Sequence, residues 1–188
     1  MDRAERDREA LLDAALQQWA DGGWVAVDPR AAAAAAGLPA SAAEEFPTAA
    51  DLACEVFDTV VDERAAAMLA AAAETADAPP MVRFRAMTTA MVDNIGQDPR
   101  RAVVVSDAVG CPELVARRRS ANRGFADVVA ARPLDPEIGP DELRVAGHFV
   151  TGGLAEMVLA WLDPQSPVTR EQVIEQGARL MEACVTAR

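Results

Sequence analysis

Apolar residues recur every three or four positions along almost the whole chain, and no stretch alternates convincingly with a period of two. That spacing puts one apolar stripe on each of a series of helices and gives a sheet nothing to pack with. Composition agrees: hydrophobic residues make up 51% of the 188, largely alanine, and aromatics only 4%. Alanine is the best helix former, while the residues that favour strands are scarce. The chain is read as all-α.

Helix ends are marked by caps and breakers. A first helix over 5–20 carries Leu12, Ala15, Leu16 and Trp19 and stops at Asp21-Gly22-Gly23. Asp28-Pro29 opens a second, which runs to Ala36 and ends at Gly37. The aspartate caps and the proline sits where its missing N–H costs nothing. Only a very short third helix fits between Pro39 and Glu45. Pro47-Thr48 opens a long fourth, to about Ala76. Further helices are expected over 81–95, 100–109 and 113–131, followed by a proline-rich loop at 132–140. Two long amphipathic helices, 141–162 and 169–187, close the chain, the last behind a Thr169–Gln172 capping box.

Three stretches in this order carry a resemblance: LLDAALQQWADGGW (11–24), RAAAAAAGLPASAAEEFPTAADL (30–52) and VTGGLAEMVLAWLDPQSPVTREQVIEQGARLMEA (150–183). With nine helices, the chain resembles the TetR family of transcriptional regulators. The resemblance implies a helix-turn-helix domain at 1–50 and a helical effector-binding and dimerisation domain at 51–188. It also implies a homodimer whose last two helices bundle with their copies. Val150, Gly153, Leu154, Met157, Val173, Gly177, Leu180 and Met181 are the residues expected there, Gly152-Gly153 and Gly177 allowing close backbone approach. A small apolar or aromatic effector would bind among Phe84, Met87, Met91, Asn122, Phe125, Phe149 and Trp161, and would act by displacing the fourth helix.

The chemistry of the helix-turn-helix departs from its outline. Reading base edges needs Arg, Lys, Asn, Gln, Ser or Thr, and between Leu38 and Glu45 only Ser41 qualifies. Glu44 and Glu45 stand where the family has groups facing phosphate, and the segment is one residue shorter than usual. A one-residue deletion in a helix turns everything beyond it by about 100°. The first fifty residues hold four arginines against nine carboxylates, a net of −5 within a chain of net charge −12 that has no lysine. Such a unit is repelled by a polyanion unless its arginines gather on one face. Arg30, Ser41 and Thr48 remain as candidate DNA contacts, with the N-terminal arginines as a possible arm. Operator binding is therefore in doubt. A ligand- or protein-binding relative that no longer reads DNA stays open as the alternative.

No nucleophile triad, phosphate loop or zinc spacing is present, so no catalytic residue, metal or cofactor is expected. His148 is expected as a partly buried structural histidine. Cys54, Cys111 and Cys184 form no CxxC pair and are read as core thiols. The arginines at 117–119 and 123 spread around their helix and are expected to pair with the protein's own carboxylates. The charged N-terminus lacks a signal core, and no apolar run is expected to span a bilayer, so a cytoplasmic protein is expected.

Overall fold

The computed structural model describes residues 2–107, 110–131 and 137–186. Among them are eight α-helices and no strand: α1 (Arg3–Gly22), α2 (Pro29–Ala35), α3 (Ala49–Glu74), α4 (Pro80–Gln97), α5 (Arg101–Ser106), α6 (Pro112–Ala130), α7 (Pro140–Leu162) and α8 (Arg170–Val185). The expected third helix is a four-residue 3-10 turn, Ala40–Ala43. Of the expected loop at 132–140, residues 132–136 lie outside the described residues, as do the expected helix ends at Val109 and Ala187.

The caps form as the sequence dictates. Asp2 and Glu5 close a capping box on α1, and Thr169 and Gln172 close one on α8. The Asp28 carboxylate accepts from the Ala31 N–H at 2.7 Å, and Pro29 occupies the first turn of α2. Gly37 follows with φ +69°, while the Leu38 N–H reaches back to the Ala33 carbonyl at 2.9 Å. That left-handed exit is open to glycine at no steric cost.

The chain divides into two compact units. The first takes in Met1–Val61 and Asp98–Arg118, the second Asp62–Gln97 and Arg119–Arg188. Residues 98–118, read from sequence with the C-terminal domain, thus pack with the N-terminal helices. In the first unit Trp19, Leu52, Val56 and Phe57 meet Val104, Cys111 and Leu114 in one core. The Trp19 indole N–H donates to Asp107 Oδ2 at 3.1 Å, so burial of the ring leaves no polar group unsatisfied. The same carboxylate accepts the Trp24 N–H at 3.0 Å. Arg100 joins Asp98 (2.7 Å) to Asp13 of α1 (2.6 Å), and its hydrogen bond holds the Asp98 carboxyl below the usual carboxylate range.

In the second unit α8 packs against both α4 and α7. Gly177 makes this possible: a Cβ there would lie 3.0 Å from Leu154 Cδ2 and 3.1 Å from Thr88 Cγ2. Thr88 is fully buried, donates to the Phe84 carbonyl at 2.9 Å and touches Met181 Sδ at 3.6 Å. A Cβ on Gly147 would meet the Ala126 Cα at 2.7 Å, so α6 and α7 touch backbone to backbone there. By length and composition α7 is apolar enough to cross a membrane, which was not expected of any segment. Its leucines and valines raise the hydropathy, and one flank of the helix is taken up by α6 and α8.

Candidate functional site

The segment expected from the sequence to face DNA is too short for an α-helix. Pro39 and Pro47 bracket seven residues, and Pro47 has no N–H to donate. Between them every bond runs back three residues: Ala42 to Pro39, Glu44 to Ser41 and Phe46 to Ala43, at 2.9–3.1 Å. Ala43 and Phe46 point inward. Ser41 and Glu44 are exposed.

A groove of about 530 Å³ lies beside this turn, lined by Asp28, Pro29, Arg30, Ala40, Ala43, Glu44, Phe46 and Pro47. Exposed Arg30 lines the groove beside the turn, together with two carboxylates, Asp28 and Glu44. Ser41 is not among the lining residues. Thr48 is committed locally: its hydroxyl donates to Asp51 Oδ2 at 2.7 Å and accepts the Asp51 N–H at 3.2 Å. The exposed Asp51 carboxylate bonded to Thr48 would repel a phosphate there.

The N-terminal arginines do not form an arm, because helix α1 begins at Arg3. Arg3 pairs with Asp7 at 3.7 Å. Arg8 reaches across to Glu45 at 3.1 Å and also pairs with Glu55, its guanidinium 5.7 Å above the Phe46 ring. One arginine thus takes up one of the two glutamates expected to face phosphate, leaving Glu44 as the carboxylate presented at the turn. Arg8 was not foreseen, since 37 residues separate it from Glu45 and no local pattern links them.

All seven effector candidates fall in the second unit, but they do not share one environment. Phe84 and Met91 are buried on α4, while Met87, Asn122, Phe125 and Trp161 are half-buried. Phe149 is 67% exposed on α7, which removes it from any interior site. His148 beside it is also exposed, against expectation. A second groove, of about 580 Å³, runs between α7 and α8 and is lined by Glu156, Met157, Ala160, Val168, Gln172 and Gln176. None of the seven lines it.

The eight expected interface residues divide the same way. Val150, Leu154, Val173, Gly177 and Met181 are buried within the chain's own packing, whereas Gly153 and Leu180 are exposed and Met157 is half-buried. The exposed Gly153 belongs to a stripe whose Val145 and Phe149 were not foreseen in an interface. Val145 (70% exposed), Phe149, Gly152 and Gly153 follow one another at helical spacing along α7. Cys54 and Cys111 are buried and Cys184 half-buried, all as free thiols, and burial pushes the Cys54 thiol up. Of the arginine run, Arg117 pairs with Asp58, while Arg118, Arg119 and Arg123 are exposed.

No family model matches the sequence. No curated protein matches it either. Solved structures do. A TetR-family transcriptional regulator from Syntrophomonas wolfei superposes with a TM-score of 0.77 at 10% identity, covering 97% of each chain. Another from Rhodococcus sp. gives 0.76 at 13% identity, covering 96% of this chain and 99% of that one. The regulator FadR from Bacillus subtilis, solved with stearoyl-CoA, gives 0.70 at 14% identity over 94% and 97%. At such identities it is architecture that is shared, and over nearly its whole length this chain has the fold of the TetR-family transcriptional regulators.

Proposed function

We propose that the chain is a ligand-responsive transcriptional regulator of the TetR type. In this reading it works in the cytoplasm as a homodimer and takes part in no catalysis. Residues 1–50 face DNA, and 51–188 bind the effector and the second copy. Contact with operator DNA is weak and rests on phosphates more than on bases. The observation that carries the reading is retention of the fold along nearly the whole chain, with α2, the turn and α3 in helix-turn-helix order. The exposed stripe of Val145, Phe149, Gly152 and Gly153 supports a second copy, because its glycines leave room for another backbone. Apolar half-buried groups such as Met87 and Phe125 suit an effector that is mostly hydrocarbon.

The 3-10 turn, with Thr48 bonded to Asp51 and Glu44 exposed, favours a second reading: a protein of the same fold that binds ligand or partner and has given up reading DNA. Fluorescence anisotropy with fragments flanking the protein's own gene, across salt concentrations, separates the two. The regulator reading expects micromolar or weaker binding at physiological salt, little dependence on sequence and a shallow salt slope. Arg30→Ala lowers affinity on all fragments alike and flattens the slope by about 0.9. Absence of binding even at low salt leaves only the second reading.

A further inference from the structure

On α7 one face is covered and the opposite one is bare. Leu143, Gly147, Val150, Leu154 and Val158 are buried. Val145, Phe149, Gly152 and Glu156 are exposed, and Ala160 is half-buried. Steps of three and four residues keep these last five within about 80° of one another around the helix. Phe149 stands apart from the other four phenylalanines, which are buried or half-buried. An aromatic ring held in water on a bare helix face marks a surface that meets something.

The two halves of this face differ, and they match. Before Gly152-Gly153 it bears two apolar knobs, Val145 and Phe149. Beyond the glycines it opens into the groove of about 580 Å³ between α7 and α8, whose walls include Glu156, Met157, Ala160 and Val168. At a rise of about 1.5 Å per residue, Phe149 lies about 5 Å before the midpoint of the glycine pair and Glu156 about 5 Å after it. Val145 and Ala160 lie about 11 Å to either side. A Cβ on either glycine would meet nothing within 4 Å, so a second helix can come close at that midpoint. A foreign partner has use for the knobs or for the socket; a twofold contact uses both, at equal distances from one point. Charge agrees, since the same pairing sets exposed His148, beside the knob, within one residue of the acidic Glu156 of the partner subunit.

We propose that a second copy packs antiparallel on this face, with the twofold axis between Gly152 and Gly153, so that Phe149 and Val145 of each chain fill the groove of the other. Phe149 enters beside Glu156 and Met157, and Val145 reaches Ala160. A groove of that volume elsewhere holds a whole drug-sized ligand, so both side chains fit. The Glu156 stem flanks the ring while its carboxylate faces His148 of the partner subunit. This rests on the homodimer reading above and gives that dimer its register and its socket.

The test places cysteines in the full chain, with Cys184→Ser to remove the half-buried thiol. Oxidised with copper phenanthroline, Phe149→Cys combined with Glu156→Cys is expected to give a covalent dimer, and each substitution alone is not. Within one chain the two positions are about 10 Å apart, and so are the two copies of either position across the axis, too far for a disulfide. In sedimentation Phe149→Glu weakens the dimer about a hundredfold, because each added carboxylate faces the partner's Glu156, and adding Glu156→Arg recovers about tenfold. A link through Phe149→Cys alone puts the axis elsewhere and overturns the register, as does an unlinked double variant or a dimer indifferent to Phe149→Glu. A dimeric parent in any of these cases leaves the homodimer reading standing. A parent monomeric at every concentration removes that reading and this one together, and flotation of the monomer with phosphatidylcholine vesicles assigns the face to lipid.

Discussion

Two glycines five positions apart on α7 do opposite things. Gly147 holds the Ala126 backbone at a distance no Cβ tolerates, whereas a Cβ on Gly152 would meet nothing within 4 Å. Gly147→Ala is therefore expected to cost about 1–3 kcal/mol, a fall in melting temperature of roughly 2–4 °C per kcal/mol for a chain of this size. Gly152→Ala is neutral or stabilising by up to about 1 kcal/mol in the isolated chain, because it removes only helix-breaking freedom. Thermal melts of the two variants side by side check this. The pattern of small residues pointed to Gly152-Gly153 and Gly177 as sites of close approach but gave no hint of Gly147, whose partner lies on another helix. Acid stability is also set by single groups. Arg100 keeps the Asp98 carboxyl lower in the folded chain than in the unfolded one. Its stabilisation is complete above the unfolded value, about 3.9, and fades as pH falls through the folded one. Melting curves between pH 6 and pH 2, as rough limits, should show a smaller acid-side loss in Asp98→Asn than in the parent.

Single elements follow their caps closely. Helix α2 has only seven residues, and Asp28 satisfies one of its free N–H groups. Asp28→Ala is expected to destabilise by about 1 kcal/mol, read as a shift of the chemical denaturation midpoint with unchanged slope. The brevity of the recognition segment was legible, since two prolines with seven residues between them are visible in the sequence. Its 3-10 winding was not, because a helix of that length has two hydrogen-bonding patterns open to it and packing of Ala43 and Phe46 chooses between them. Helix α7 shows the converse difficulty. It is apolar almost all round, so periodicity identified a broad face but not which part of it is covered. Val150 and Leu154 turned out to be interior and Val145 and Phe149 exterior.

For the whole molecule, the exposed stripe of α7 decides the expected assembly. Phe149→Glu places a charge in the middle of that stripe while disturbing little of the chain's own packing, since Phe149 is 67% exposed. Sedimentation at several concentrations should show a dimer for the parent and a folded monomer for the variant; an unchanged mass would put the interface elsewhere. The order of helices, and with it the fold, could be read from caps and spacing. Pairings across long sequence separations, such as Arg8 with Glu45, could not, because they depend on how the helices meet in space. One such long-range association has a practical consequence. The core around Trp19 and Leu52 is completed by Val104, Cys111 and Leu114, which enter the chain some forty residues after α3 has left that core. A genetic fusion that grafts residues 1–61 alone onto a foreign body would carry an open-sided head, so a working chimera must also keep 98–118 and needs three splice junctions, not one.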